Sequence, residues 1–346
     1  MAKGKVIITT GISGSGSRDF CGSYAGNNRY AKVYNTGDMI YQLAINGSEE
    51  PPFPKENLLN LHPRVLASLR DTAFENILDN LPKDKRNHER IVIDTHAQFF
   101  WNKIFENAYN WKYLKSLNAD MFVTIIDKPS SIKERQMAEE EGRRQDHDLA
   151  SLLIWQNIEV NVTKGWASNY QKPFYVFPRM QNPVILDNLV DNRFCIYFQM
   201  PMTEASSVQN DQISKFKTKL ESIGKEINGI PTPIIDPRHI DIETGNSLSE
   251  QTRDYIRRHT VYRDMSWYIP EVTDLVAFYP EGTNISKGVS DESTRGFETG
   301  KNAFVIFPKK MTSPFMDIAR RVFESEEDFF KFFPDYMKTR MEQLKR

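Results

Sequence analysis

Val6-Ile7-Ile8-Thr9-Thr10 runs directly into Gly11-Ile12-Ser13-Gly14-Ser15-Gly16-Ser17-Arg18 near the start of this 346-residue chain. The first five residues are apolar or β-branched, which predicts a buried strand, and a helix is predicted from Asp19 onwards. Glycines between a strand and a helix let backbone N–H groups turn inward, and the helix N-terminus adds a positive dipole. This part of the chain therefore predicts a phosphate-binding loop.

The spacing from Gly11 to Gly16 matches the Walker A pattern, in which a Lys and then a Ser or Thr follow the last glycine. The Lys of that pattern reaches the β- and γ-phosphates, and the hydroxyl binds Mg²⁺. Ser17 and Arg18 occupy these two positions, so phosphate binding is predicted and phosphoryl transfer is left open. The alternative interpretation is an ordinary glycine-rich turn. The predicted nucleotide-binding residues of the loop are Gly11, Ser13, Gly14, Ser15, Gly16, Ser17 and Arg18.

The first two-thirds of the chain alternates short β-branched runs with longer amphipathic ones, which predicts an α/β fold with a mainly parallel sheet covered by helices. One amphipathic stretch, Asn57–Leu81, has apolar residues at helical spacing. The charged stretch Ser130–Arg144 predicts an exposed helix and loop. After the first strand, further strands are predicted at Ala31–Tyr34, Ile91–Asp94, Met121–Ile126 and Phe174–Phe177.

Two short motifs follow predicted strands, Asn35-Thr36-Gly37-Asp38-Met39 and Asp94-Thr95-His96. Together with the loop they resemble the P-loop nucleoside monophosphate kinases, particularly the archaeal-type adenylate kinases, over about residues 3–186. The resemblance implies a kinase-like domain that uses ATP and Mg²⁺, with Asp38 at the nucleotide and Asp94 as a magnesium ligand through water. It also implies lid arginines over the phosphates, for which the candidates are Arg135, Arg143 and Arg144. Alternatively, Asp94 caps the strand end and the arginines are solvated helix charges.

A second domain is predicted because 346 residues exceed what one hydrophobic core usually holds. The polar stretch Asp187–Arg193 marks the boundary, after which an apolar strand, Phe194–Phe198, restarts the alternation. We therefore predict a first domain over residues 1–190, a second over 191–310 and a tail of two helices over 311–346. Within the second domain, the later strands are predicted near Thr232–Ile235, Leu275–Tyr279 and Ala303–Phe307, with helices at Asn210–Ile223, Glu250–Tyr268 and about Val289–Thr299.

The loop Pro280–Gly288 follows the predicted strand Leu275–Tyr279, and loops at the carboxyl ends of parallel strands line the ligand crevice. Two acids stand near it in sequence, Asp264 in a helix with an apolar face and Glu292 in the helix after the loop. We expect substrate contacts from Gly282, Ser286 and Gly288.

This region resembles the nucleoside 2-deoxyribosyltransferases and related nucleotide N-glycosidases over about residues 194–310. The motifs that carry the resemblance are Ile196-Tyr197-Phe198, Asp264, and Glu292 nine residues before Lys301. It implies a flavodoxin-like domain in which the catalytic residues are Glu292 as nucleophile at the sugar C1′, Asp264 as proton donor to the leaving base and Tyr197 as the residue that orients Glu292. The reaction requires no cofactor, and the family is commonly oligomeric, so a homo-oligomer is implied.

Some alternatives stay open in this second domain. The family carries an acid six places before the nucleophile, whereas this chain has Ser286, so ribose and deoxyribose are both open. Glu292 could instead be a solvated helix residue, and Asp264 could pair with Arg258 or Arg263.

Composition excludes several other classes of function. The formal net charge of −1 argues against an extended nucleic-acid surface and leaves small nucleosides or nucleotides as ligands. The two cysteines, Cys21 and Cys195, suggest neither a disulfide framework nor a zinc site, and no signal peptide or membrane span is predicted, which favours the cytoplasm. The leading hypothesis is an enzyme that cleaves or transfers the base of a nucleoside or nucleotide. The alternatives are a nucleoside monophosphate kinase and a non-catalytic nucleotide sensor.

Overall fold

The computed structural model describes residues 4–46, 55–202, 205–240, 248–308 and 318–345. The chain forms two compact units, Met1–Pro183 with Ile242–Arg257 and Val184–Asp241 with Arg258–Arg346. The division after Pro183 lies a few residues before the boundary at 190 that the sequence predicts.

The first unit is built around a five-stranded sheet in which every neighbouring pair of strands is parallel. Its elements, in chain order, are β1 (Lys5–Thr10), α1 (Ser17–Asn27), β2 (Ala31–Asn35), α2 (Thr36–Asn46), a 3-10 helix (Lys55–Asn60), α3 (Pro63–Asn87), β3 (Arg90–Thr95), β4 (Gln98–Trp101), β5 (Ile104–Asn107), α4 (Trp111–Leu117), β6 (Met121–Ile126), α5 (Pro129–Ala138), α6 (Glu140–Gln145), α7 (Leu149–Asn169) and β7 (Phe174–Pro178).

The strand order of this sheet is β2-β3-β1-β6-β7. Every residue of β3 and β6 is buried, as expected for parallel strands with helices on both faces. The direction in which successive strands are added to the sheet reverses at β1, which stands between β3 and β6. The loop after β1 therefore lies at a topological switch point of the sheet. The hairpin of β4 and β5 was not predicted from the sequence and forms a separate two-stranded sheet.

The second unit contains a second parallel sheet of five strands. Its elements are α8 (Ile185–Asn192), β8 (Ile196–Gln199), α9 (Ser207–Asn228), β9 (Ile234–Ile235), a 3-10 turn (Pro237–His239), the part of α10 (Glu250–Tyr262) from Arg258 onwards, a π-helical segment (Arg263–Tyr268), β10 (Asp274–Phe278), α11 (Lys287–Glu298), β11 (Asn302–Ile306), β12 (Arg321–Phe323) and α12 (Glu326–Leu344).

The strand order of the second sheet is β9-β8-β10-β11-β12, which is the 2-1-3-4-5 order of flavodoxin-like folds. The predicted fold class, two doubly wound α/β domains with parallel sheets, is therefore confirmed.

The predicted tail of two helices is wrong for the residues that the structure describes, because residues 321–323 form the edge strand β12 and residues 326–344 form the single helix α12. Residues 309–317 lie outside the described part of the chain. The buried face of α12, formed by Phe329, Phe333, Met337 and Met341, belongs to the same core as Phe198, Phe216 and Phe278. The end of the chain is thus an integral layer of the second unit. Within the described ranges, no helix is both long enough and apolar enough to cross a membrane.

Candidate functional sites

The loop between β1 and α1 has a backbone path that depends on its glycines. Gly14 and Gly16 have φ values of 81° and 85°, in the left-handed region that favours glycine. A Cβ at Gly11 would collide with the hydroxyl oxygen of Ser15. Gly16 is the N-cap of α1 and gives no side-chain cap, so the first N–H groups of the helix remain available at the loop.

The two residues after the loop are directed differently. Ser17 is buried, and its hydroxyl lies beside the carboxylate of Asp94 at the end of β3. Arg18 is exposed, and its Nη2 lies 2.7 Å from Oδ2 of Asp38 in the first turn of α2. The guanidinium therefore stands at the mouth of the loop, held by a partner on α2.

Asp94 is 4% exposed and has an incomplete set of hydrogen bonds. Its Oδ2 accepts from Nδ2 of Asn35 at 2.7 Å, whereas Oδ1 is buried without a hydrogen-bond partner. Burial raises the pKa of Asp94 to about 7, against the opposing effects of Ser17, Asn35 and Arg18. A buried carboxyl oxygen without a partner, close to a phosphate loop, is typical of a site that a ligand completes.

The three candidate lid arginines lie in different surroundings. Arg135 donates from Nε to the carbonyl oxygen of Gly14 at 2.6 Å and forms an ion pair with Asp127, so it supports the loop from α5. Arg143 donates from Nη1 to the carbonyl oxygens of Met137 and Ala138. Arg144 pairs with Glu140 one turn earlier on α6. Of the three, Arg135 lines the cavity described next.

A cavity of about 480 Å³ opens beside the loop. One part of its lining is polar and includes Gly14, Gly16, Ser17, Arg18 and Asp94, and the arginines of the lining are Arg18, Arg70 and Arg135. The other part is apolar and aromatic, with Ile40, Leu58, Leu66, Phe99, Phe100 and Trp155. Such a combination suits a ligand with a charged end and a planar or apolar end.

Glu159 on α7 supports this site and was missed by the sequence analysis. Its two carboxylate oxygens accept from the backbone N–H groups of Ala97 and Gln98 at 2.8 and 2.9 Å. Burial is the largest cause that raises its pKa, to about 8. The available signal was an acid among the buried apolar positions of α7, a position where a carboxylate needs dedicated donors.

Glu292 is the centre of a polar cluster in the second unit, at the carboxyl end of β8. Its Oε1 accepts from the hydroxyl of Tyr197 at 2.9 Å, and its Oε2 accepts from Nε2 of Gln199 at 3.2 Å. Gln199 is held in turn by the hydroxyl of Ser293 at 3.3 Å. Burial, and secondly the charge of Asp264, raise the pKa of Glu292 to about 8. Gln199 was also missed by the sequence analysis.

Asp264 is committed to an ion pair. Its Oδ1 lies 2.9 Å from Nε of Arg263 and its Oδ2 lies 3.3 Å from Nη2, and both side chains are buried. Arg263 also donates from Nη1 to the carbonyl oxygen of Ile240 at 3.1 Å. The alternative interpretation of Asp264, pairing with Arg263, is thus what the structure contains. A carboxylate in a two-point pair with arginine is a poor proton donor.

The loop after β10 holds the predicted substrate-contact residues. Gly282 has a φ of 82°, Ser286 is the N-cap of α11, and Gly288 lies in the first turn of that helix. Burial is the largest cause that raises the pKa of Tyr279, to about 12, and the charge of Glu292 adds to it while the backbone of Ser286 opposes it. The helix that carries Glu292 begins at Lys287, two residues earlier than predicted.

Comparison with known proteins bears on the first unit. Residues 10–152 match the family model described as an AAA domain. No curated protein matches the chain. Among solved structures, a sugar kinase from Janibacter sp. is 14% identical, with a TM-score of 0.30, over 55% of this chain and 92% of its own. The shikimate kinase from Bacteroides thetaiotaomicron is 11% identical, with a TM-score of 0.32, over 63% of this chain and 98% of its own.

None of these matches concerns a nucleoside deoxyribosyltransferase. That resemblance of the second unit remains a prediction. The family match spans the glycine loop, β3, β6 and most of the cavity lining. The strand order and the loop geometry of the first unit are those of a P-loop domain, and its residues 10–152 are similar to the AAA domain family.

Proposed function

We propose that the first unit binds a nucleotide whose phosphates lie on Gly11–Gly16 and whose base lies in the apolar part of the adjoining cavity. The observation that carries this proposal is the loop itself. Gly14 and Gly16 have positive φ, the N-terminus of α1 has no side-chain cap, and the cavity of about 480 Å³ begins at these residues. Backbone N–H groups and a helix dipole stabilise phosphate at such a position.

The residues fit the phosphates of ATP better than they fit its metal ion. The position that provides a metal-binding hydroxyl in Walker A loops is Arg18, and a guanidinium has no lone pair to offer a metal. Among the residues described, no group of three or more His, Cys, Asp or Glu side chains could hold a metal. We therefore assign no step of a reaction to magnesium.

Ser17 makes phosphoryl transfer by this loop less expected than nucleotide binding. The lysine that reaches the β- and γ-phosphates is replaced by Ser17, whose buried hydroxyl faces Asp94. Without that charge, the loop is expected to hold phosphates but to stabilise the transferring phosphoryl group poorly. The function we infer is nucleotide binding on a kinase-like scaffold, with at most slow transfer to a nucleoside monophosphate.

Calorimetric titration of the full chain with ATP, ADP and the nucleoside monophosphates tests this proposal. Binding is expected for the wild type and not for Gly16→Val, because a β-branched residue at a φ of 85° is strained and the Arg179 side chain occupies the space beside it. Gly26→Ala is the matched control, since Gly26 lies on the same helix with open space around it. Absence of binding in the wild type would refute the proposal. Chromatography of ATP mixed with each monophosphate measures transfer in the same samples.

A second candidate function, cleavage of an N-glycosidic bond, is favoured by the surroundings of Glu292. A carboxylate held by Tyr197 and Gln199 at the carboxyl end of a parallel sheet can stabilise positive charge at a sugar C1′, or attack that carbon as the base departs with the electrons of the broken bond. We infer that Glu292 has this role and that Tyr197 orients it. Because Asp264 is bound to Arg263, the departing base takes its proton from water in this proposal.

Incubation with nucleosides, deoxynucleotides and nicotinamide dinucleotide, followed by chromatography of the free base, tests the second function. Release is expected from the wild type and is expected to be lost in Glu292→Gln. Glu298→Gln is the matched control, because Glu298 is an exposed residue of the same helix that lies 3.5 Å from Arg295. Release that persists in Glu292→Gln, or no release from any compound, would contradict it.

A further inference from the structure

The position of Arg18 has a consequence for the charge balance at the phosphate loop. In a Walker A loop, the residue at this position contributes an oxygen to a divalent cation that neutralises the phosphates. Here the same position carries a permanent positive charge on a side chain that lines the cavity. A guanidinium cannot coordinate a cation, and its own charge opposes the approach of one.

The present partner of Arg18 can be displaced by a phosphate. The Arg18 and Asp38 side chains are 63% and 36% exposed, and ion pairs at that exposure contribute about 0–1 kcal/mol. An arginine–phosphate pair is charge-assisted and often two-pronged, which makes it stronger than such a surface pair. Two other arginines stand next to the loop: Arg135 already donates to Gly14 and Asp127, and Arg179 beside Gly16 pairs with Asp19 and is not part of the cavity lining. Arg18 is therefore the cation best placed to move onto a ligand.

A second observation marks this place as a ligand site. Asp94 lines the same cavity, and its Oδ1 is buried and has no hydrogen-bond partner. The loop glycines leave the N–H groups at the start of α1 uncapped beside it. The cavity thus presents donors for phosphate beside a buried carboxyl group, without the oxygen that a Walker A loop gives to a metal.

We propose that this loop binds its nucleotide in the metal-free form, with the guanidinium of Arg18 in place of a divalent cation. The proposal rests on nucleotide binding by the first unit. It assigns the ligand class as nucleotides that are not complexed with magnesium, and it makes Arg18 the residue that selects them. On this basis the ion pair with Asp38 holds Arg18 in position while the site is empty, and it opens when phosphate arrives.

Titration of the full chain with ATP in excess EDTA and in excess MgCl₂ tests the proposal without any variant. ATP is expected to bind in EDTA at least as tightly as in MgCl₂, because the magnesium complex hides the phosphate charge that Arg18 binds. Affinity that rises about tenfold or more when MgCl₂ replaces EDTA would overturn the proposal. No binding in either buffer would refute the proposed function of the unit, and this proposal with it.

The Arg18→Ser variant restores a hydroxyl at the metal position and adds a second test. Its affinity for ATP in EDTA is expected to fall by about tenfold or more, since a charge-assisted hydrogen bond contributes about 1.5–3 kcal/mol. MgCl₂ is then expected to recover part of that loss. Arg64→Ser, at an exposed residue of α3, is the matched control and should bind as the wild type does. An Arg18→Ser variant that binds ATP in EDTA with unchanged affinity would overturn the role of Arg18.

Discussion

Replacing Glu292 by Gln is expected to stabilise the second unit at alkaline pH and to leave its stability nearly unchanged at acidic pH. The reason is that the folded state raises the pKa of this carboxyl from 4.5 to about 8. A group with a raised folded-state pKa gives stability that is fully present below its unfolded pKa and is lost as the pH rises through the folded value. A glutamine side chain resembles the protonated acid at every pH and does not lose that contribution.

The size of the effect follows from the two pKa values. At about 1.4 kcal/mol for each pH unit, the interval from 4.5 to about 8 sets an upper limit of about 5 kcal/mol. The real gain will be smaller, because relaxation of the folded protein and penetration of water lower the cost of a buried carboxylate. We expect about 1–3 kcal/mol at pH ~9 and less than about 0.5 kcal/mol at pH ~5.

Differential scanning calorimetry of the full chain at these two pH values measures the difference. A gain of about 1–3 kcal/mol corresponds to about 2–10 °C in the melting temperature of a domain of this size. Comparing two proteins at the same pH cancels the contributions of Glu159 and Asp94, which have raised pKa values of their own. Glu298→Gln should change the melting temperature little at either pH. A pH-independent difference, or a Glu292→Gln protein that is less stable at pH ~9, would refute the reasoning.

Three further outcomes are expected. Tyr336→Phe removes the hydroxyl that donates to the buried Asp274 and should cost about 1–3 kcal/mol in urea unfolding, with an unchanged denaturant slope; a cost near zero would contradict this. Glu159→Ala leaves the N–H groups of Ala97 and Gln98 buried without acceptors, so it should lower the melting temperature and weaken nucleotide binding together, measured by calorimetry. Asp94→Asn should bind ATP more tightly than the wild type above pH ~7 and similarly below it. The reason is that the pKa of Asp94 is about 7 and only its ionised form repels phosphate. Equal affinities of the two proteins in a titration at pH ~8 would argue against a carboxylate facing the ligand.

Much of the fold was predictable because buried parallel strands give continuous apolar runs. The five strands that the sequence predicts in the first unit lie within two residues of β1, β2, β3, β6 and β7. The hairpin of β4 and β5 was not predictable in the same way. Its turn places Asn102 and Lys103 at φ values of 50° and 62°. Asn-Gly is the sequence that predicts a turn with two positive φ values, and Asn-Lys does not predict one.

The prediction of two helices in the tail was wrong because of a proline and a very short strand. Pro334 normally interrupts a helical pattern, yet α12 runs through it from Glu326 to Leu344, because packing of its apolar face outweighs the lost backbone bond. The strand β12 has three residues, too few to show a periodic pattern.

Some residues of the candidate sites were predictable from the sequence and others were not. The loop from Gly11 to Gly16 was recognisable because its backbone requires glycine at fixed spacing. The sequence left Arg258 and Arg263 as possible partners of Asp264 and could not choose between them, since neighbouring residues of an α-helix usually point in different directions. In the structure Arg263 and Asp264 lie in a π-helical segment and form the pair. Glu159 and Gln199 act through contacts with residues far away in sequence, which no local pattern encodes.

The burial of α12 in the core of the second unit also affects the order in which the chain can fold during synthesis. Its apolar face, Phe329 to Met341, covers Phe304 and Phe323 on the sheet. Translation delivers this helix after every strand of the sheet, so the nascent second unit carries an uncovered aromatic face until residues 326–344 emerge. A pause in translation shortly before Glu326 would therefore prolong the interval in which this sheet is open to aggregation or to chaperones.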